Sequence, residues 1–155
     1  MIKTIVYIIV SYLIGSISFA YYICSKFYSI DIRQYGSGNP GSTNVLRVLG
    51  AKPALIVFVA DLLKGLITVS IGRLIGGENL ALLAAIAVVV GHDWSIFLNF
   101  KGGKGIATSL GVVIGVFPKV APILIIVGIS VIFISRYVSL GSITTATLLP
   151  ILLIL

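Results

Sequence analysis

A chain of 155 residues that is 59 % hydrophobic and only 10 % charged cannot form a soluble globule, because soluble domains run about 45–50 % apolar and about 25 % charged. Eleven Lys and Arg against four Asp and Glu leave a net charge of +7, and the high apolar content excludes intrinsic disorder as well. The sequence therefore predicts an integral membrane protein: all-α, a polytopic helix bundle, read as one domain over residues 1–155. A single cysteine, Cys24, excludes an internal disulfide, and four acids with one His offer little for a protein-only metal cage.

A spanning helix needs about 20 apolar residues. Residues 4–24 supply the first run, flanked by Lys3 and Lys26; it is too long for a secretory signal and lacks a small-residue cleavage site. Residues 26–52 form the longest polar stretch and read as a surface loop. Residues 54–75 make a second run, opened by Pro53 in a first-turn position. Gly76-Gly77-Glu78-Asn79 reads as a tight turn, and 80–97 as a third run. A short Gly- and Lys-rich loop, 99–104, separates it from 105–117 and 119–135, two further runs joined near Pro118. Residues 140–155 begin a sixth, which stops without a basic or aromatic anchor, so the natural protein is expected to continue beyond it. The expectation is five to six spans in this chain.

The basic residues set the orientation. With the first polar loop in the cytoplasm, that side carries Lys26, Arg33, Arg47, Lys52, Lys101, Lys104 and Arg136, against Lys3, Arg73 and Lys119 on the other. The N-terminus is then outside, and both polar loops meet at one cytoplasmic face. Basic residues scattered between apolar runs do not make a nucleic-acid surface.

Within the first loop, residues 36–44 read Gly-Ser-Gly-Asn-Pro-Gly-Ser-Thr-Asn and lead to Arg47. Turns of this kind present backbone amides as anion nests, and an arginine grips phosphate with two prongs. A flexible surface turn is the plainer reading. The second loop, Phe100-Lys101-Gly102-Gly103-Lys104-Gly105-Ile106-Ala107-Thr108, joins glycines, lysines and a helix N-terminus, which suits a phosphate. A basic cap on lipid headgroups would look the same. The loop is not a Walker A element, so nucleotide hydrolysis has no support. Two such loops on one face favour a site for phosphorylated molecules.

Asp61 and Lys64 share a helix face inside the second run, where an unpaired charge costs at least about 2.5–3.5 kcal/mol. They read as a neutralised internal pair that fixes packing, with a polar cavity lining as the alternative. His92, near the second loop, is either a general base or, more simply, a hydrogen-bonding anchor. Gly72-x-x-x-Gly76 and Gly111-x-x-x-Gly115 suit close helix packing.

Taken together and in order, these motifs resemble the bacterial acyl-phosphate:glycerol-3-phosphate acyltransferases. The resemblance rests on residues 36–47, Asp61-x-x-Lys64-Gly65, Gly91-His92, residues 100–108 and Arg136-Tyr137-Val138-Ser139-Leu140-Gly141-Ser142. It implies a bacterial inner-membrane enzyme of phospholipid synthesis, with about seven spans when complete. The enzyme would move an acyl group from acyl phosphate to the sn-1 hydroxyl of glycerol 3-phosphate, giving lysophosphatidic acid and phosphate. By the same resemblance Ser37 and Arg47 are the catalytic residues. Gly38, Asn39, Asn44, Lys101, Gly102, Gly103, Lys104, Gly105 and Ser142 are expected to contact substrate phosphate. Ser42 stands where the family commonly has Ala. The family's final motif, with a His, an Asn and a Glu, would lie beyond Leu155. Acyl phosphate is already activated, so neither metal nor other cofactor is expected. Expected partners are the two substrates, membrane lipid and an enzyme that forms acyl phosphate. A carrier for phosphorylated anions is the alternative, disfavoured because both loops crowd one face and no internal repeat appears.

Overall fold

Serine caps and glycine breaks divide the apolar runs into shorter helices. The computed structural model describes residues 1–154. The chain forms two compact units that divide after Val116.

The first unit opens with α1 (Ile2–Ser16) and α2 (Phe19–Tyr28). The expected single run over 4–24 is thus two helices, bent by 41° at Ile17–Ser18. Ser18 is the reason: its hydroxyl accepts from the Tyr21 amide at 3.3 Å, an N-cap that starts a new helix where no Gly or Pro marks a break. A short 3-10 turn, Ile32–Gln34, and α3 (Ser42–Leu49) follow. The polar stretch 26–52 therefore contains a helix that its composition conceals. Val45 is buried against Ala20, Cys24, Ile32, Ala54 and Val57, and Val48 and Leu49 pack on the same cluster.

The next element, α4 (Ala51–Asp93), is folded back at Gly76 and Gly77, the latter at φ 71°. This is the expected turn, placed where only glycine adopts the backbone without strain. The two arms run antiparallel, so that Lys64 meets His92 and Gly72 lies beside Ala81 and Ala84. After a 3-10 turn, Ile96–Leu98, and the Gly–Lys loop comes α5 (Ile106–Val116).

Backbone closeness holds this unit together. A methyl group on Gly15 would strike the Val88 carbonyl, on Gly91 the Tyr12 carbonyl, on Gly65 the Thr108 carbonyl and on Gly111 the Leu62 carbonyl. Small residues are how helices associate in lipid, where no hydrophobic gain separates helix contact from lipid contact. Ile9, Leu55, Ile67 and Ile86 are exposed, as a lipid-facing surface requires.

These contacts also give the unit two ends. Tyr7, Leu80 and Ala84 cluster toward the 76–77 fold. At that end Arg73 donates to the Gly115 carbonyl at 2.7 Å and to the Val116 carbonyl at 3.3 Å, closing the end of α5. It also pairs with Glu78 at 2.7 Å. The residues following α1, the residues preceding α4 and the 94–105 segment all lie at the opposite end.

The second unit pairs α6 (Ala121–Ser135) with α7 (Val138–Ile154). Gly128 lies against Thr145, and Gly141 against Ile132 and the Gly128 carbonyl. Arg136 joins the helices in the left-handed conformation, φ 62°, with its guanidinium over the Phe133 ring. Each apolar run expected from the sequence is mainly helical over the described residues, Leu155 of the last run lying outside them. Among the described residues, only α4 is by itself long and apolar enough to cross a membrane, with α1 and α2 qualifying together as one bent span. Helices α5 and α6 have 11 and 15 residues, fewer than a perpendicular crossing needs, and α7 has 17 among the described residues.

Candidate functional site

Both expected loops stand at the end of the first unit opposite the 76–77 fold. The first is built around Asn44. Its side-chain NH2 donates to the Tyr35 carbonyl at 2.9 Å and the Ile32 carbonyl at 3.2 Å, and its Oδ1 accepts from the Ser37 amide at 2.8 Å. Asn44 is 2 % exposed. The side chain expected to contact substrate has its hydrogen-bonding groups on its own loop, where its Oδ1 holds the Ser37 amide. Gly36 packs so closely on Asn44 Oδ1 that no side chain would fit.

Further support comes from below. Arg33 grips Asp31 through Nε at 3.0 Å and Nη2 at 2.7 Å, and stacks 4.7 Å from the centre of the Tyr21 ring. The bonds from Arg33 hold the Asp31 carboxyl below its ordinary pKa. Ser37 is exposed on this frame, Gly38 turns at φ 73° with its amide on the Tyr35 carbonyl at 3.0 Å, and Asn39 is half-buried. Arg47 is exposed on the last turn of α3.

The second loop winds around the end of α4. The amides of Gly102 and Gly103 donate to the carbonyls of Asp93 and His92, both at 3.0 Å. These two amides, expected to face a phosphate, dock the loop on the end of α4. A methyl on Gly102 would strike the His92 carbonyl, and one on Gly103 the His92 ring at Nε2. Lys101 and Lys104 are exposed on either side. Gly105, at φ 64°, closes the turn; its carbonyl accepts the Ser109 amide at 2.7 Å, and it packs beside the buried, unpartnered Oδ1 of Asp93. The first-turn amides of α5 lie just beyond, the part of a helix that attracts anions.

Beneath the loop, Lys64 Nζ lies 2.8 Å from Asp61 Oδ1, 2.8 Å from His92 Nδ1, 3.0 Å from the Gly15 carbonyl and 2.7 Å from the Ile17 carbonyl. The expected neutralised pair is present, with two carbonyls at the end of α1 and the His92 ring added to it. The sequence marked His92 as an anchor, but nothing in it indicated that the anchor serves the glycine loop.

Charge separates the two ends. Among the described residues no carboxylate stands within ion-pairing distance of Arg47, Lys101 or Lys104, since Asp31, Asp61 and Glu78 pair elsewhere. The site-end cations are thus left for an anionic ligand. Ser142, in the second unit, donates to the Val138 carbonyl of its own helix at 3.0 Å.

A sequence model described as glycerol-3-phosphate acyltransferase matches residues 5–155. The glycerol-3-phosphate acyltransferase of Thermoanaerobacter pseudethanolicus is 56 % identical over 136 residues, 88 % of this chain and 69 % of the relative. Glycerol-3-phosphate acyltransferase 2 of Moorella thermoacetica is 46 % identical, covering 95 % of this chain and 76 % of that one. Among solved structures, PlsY, described as an integral membrane glycerol 3-phosphate acyltransferase in its glycerol 3-phosphate form, superposes with a TM-score of 0.87 at 43 % identity. That match covers 92 % of this chain and 72 % of the other. With the motifs in order, the helices in place and these likenesses across nearly its whole length, the chain belongs to the glycerol-3-phosphate acyltransferase family.

Proposed function

We propose that this membrane protein acylates the sn-1 hydroxyl of glycerol 3-phosphate, taking the acyl group from acyl phosphate and releasing lysophosphatidic acid and inorganic phosphate. The observation that carries this reading is the charge pattern at one end of the first unit. Arg47, Lys101 and Lys104 are exposed there without carboxylate partners, on loops whose backbones are held by Asn44 and His92. Two phosphorylated substrates need that arrangement. The relatives support the acceptor: PlsY has been solved in glycerol 3-phosphate and lysophosphatidic acid forms.

In this reading Lys104, Lys101 and the start of α5 receive the glycerol 3-phosphate phosphate. Gly102, Gly103 and Gly105 shape the loop, and Gly38 and Asn39 shape the first turn. Arg47 neutralises charge growing on the departing phosphate, and Ser37 orients substrate by hydrogen bonding. The hydroxyl oxygen attacks the acyl carbonyl carbon, the bond from that carbon to the phosphate oxygen breaks, and phosphate leaves with the electron pair. A substrate phosphate, with a second pKa of about 6, takes the hydroxyl proton. Alignment and charge stabilisation supply the acceleration. Ser142 is a further polar contact in the proposal.

The excess of basic residues beside the loops supports a cytoplasmic position for this face, with the N-terminus outside, in the bacterial inner membrane. An acyl-phosphate-forming enzyme is the natural supplier of the lipid-soluble donor. The test is phosphate release from acyl phosphate by the purified protein. Release that requires glycerol 3-phosphate and matches lysophosphatidic acid formed supports the transfer. Release independent of glycerol 3-phosphate, or flux of labelled glycerol 3-phosphate without acylation, overturns it. Trapping an acyl group on Ser37 would replace the direct transfer by a two-step one.

A further inference from the structure

We propose that His92 is a positioning residue for this reaction: Lys64 and Asp61 hold its ring beneath Gly103, and the ring and its carbonyl fix the loop that carries Lys104. The inference rests on the reading of that loop as the glycerol 3-phosphate site.

An Asp and a Lys three residues apart on one helix neutralise each other without help. Here the pair is elaborated. Lys64 touches both Asp61 and His92, and it reaches the open carbonyls of Gly15 and Ile17 across the helix junction. An ammonium has three protons and no lone pair. His92 Nδ1 lies 2.8 Å from it, 3.3 Å from the Thr108 hydroxyl and 3.5 Å from Asp61 Oδ1, so three polar groups hold the ring at that nitrogen. A flipped ring would set a C–H against all three.

The far edge of this fixed ring meets the loop. Gly103 lies on Nε2 so closely that no Cβ fits between them, while the carbonyls of His92 and Asp93 accept from Gly103 and Gly102. Five residues on, Thr108 returns to the same imidazole at Nδ1. The segment 102–108 thus wraps one side chain, and Lys104 projects from the middle of the wrap. All three ionisable groups are buried: Asp61 is 2 %, Lys64 6 % and His92 6 % exposed. Burial of this kind in a membrane segment marks a functional element rather than a passive one. The cluster does not touch substrate in this account; it determines where the touching residue stands.

The test varies each substrate separately with the purified enzyme in lipid nanodiscs. Asp61→Asn/Lys64→Met removes both charges together, which avoids leaving one of them buried alone. His92→Asn keeps an acceptor near the Nδ1 position and removes the ring edge. Both variants are expected to raise the KM for glycerol 3-phosphate by about 10- to 100-fold, the scale of a 1 Å misplacement, and to leave the KM for acyl phosphate within about twofold. Gly103→Ala, on the half-buried loop, is expected to give the same signature and serves if a helix variant does not fold. Folded variants with an unchanged KM for glycerol 3-phosphate would overturn the proposal. Lys104→Gln is measured in parallel. If it raises that KM and the cluster variants do not, positioning alone fails; if it too has no effect, the phosphate-loop reading fails and takes the positioning role with it.

Discussion

The two ends of the first unit handle cations in opposite ways. At the 76–77 fold, Arg73 is paired within the protein: Glu78 takes one edge of the guanidinium and the last carbonyls of α5 take another. At the other end, Arg47, Lys101 and Lys104 face outward, and the polar groups beside them bind backbone instead of charge. One end uses its arginine to finish a helix. The other uses asparagine, glycine and histidine to hold loops still, so that its cations remain available. Of the four acids, only Glu78 stands at the fold end; at the loop end Asp31 and Asp61 pair with Arg33 and Lys64, not with the exposed cations.

The largest effects should follow from removing the reactive end's contacts. Arg47→Ala and Ser37→Ala are expected to lower kcat/KM by at least about 100-fold, as loss of a group that stabilises the transition state does, with thermal unfolding in detergent unchanged. A folded, fully active Arg47→Ala protein would erase the distinction between the ends. Gly102→Ala should come next. The added methyl strikes the His92 carbonyl, so the loop must lift, and the KM for glycerol 3-phosphate should rise about 10-fold or more. Asn44→Ala removes three hydrogen bonds around the Ser37 turn and leaves a peptide amide and two carbonyls without their partner. It should cost about 1–3 kcal/mol and lower kcat, because Ser37 loses its frame; equal kcat would mean the turn holds its own shape.

At the other end, Arg73→Ala should lower unfolding stability by about 1–3 kcal/mol with both KM values unchanged. A kinetic effect there would show that the ends communicate. The smallest effect belongs to Asp31. Its folded pKa is depressed by the bonds from Arg33, so its contribution is complete above the ordinary carboxylate range and is lost as pH falls through the depressed value. The stability gap between the wild type and Asp31→Asn should therefore be widest near neutral pH and close in acid. Thermal unfolding across pH measures it, and a gap that widens in acid would reverse the sign.

Much of this organisation is visible in the residue order. Gly76-Gly77-Glu78-Asn79 announced the fold in α4, because two glycines in an apolar stretch have few other uses. The pairing of Asp61 with Lys64 followed from spacing and the cost of burying charge. The bend at Ile17–Ser18 was harder to see, since Ser18 is one serine among apolar neighbours and its capping role depends on a new helix beginning there. Helix α3 was hidden by the polar composition around it, although Val45, Val48 and Leu49 fall at helical spacing and now pack on α2 and α4. Asn44 looked like a ligand for phosphate because its residue type suits either role. Its burial and its three backbone partners show the loop-holding contacts that the residue type alone does not.

The bend between α1 and α2 has a consequence for how the polypeptide enters the bilayer. The carbonyls of Gly15 and Ile17, opened by that bend, are answered by a lysine 49 and 47 positions later. Hydrocarbon offers no water to answer them earlier. Until the α4 hairpin arrives, these two carbonyls lack their lysine partner, so the bend that Ser18 caps is fastened only during assembly. An isolated peptide of that stretch in micelles should accordingly show a looser junction at Ile17–Ser18 than the assembled protein does.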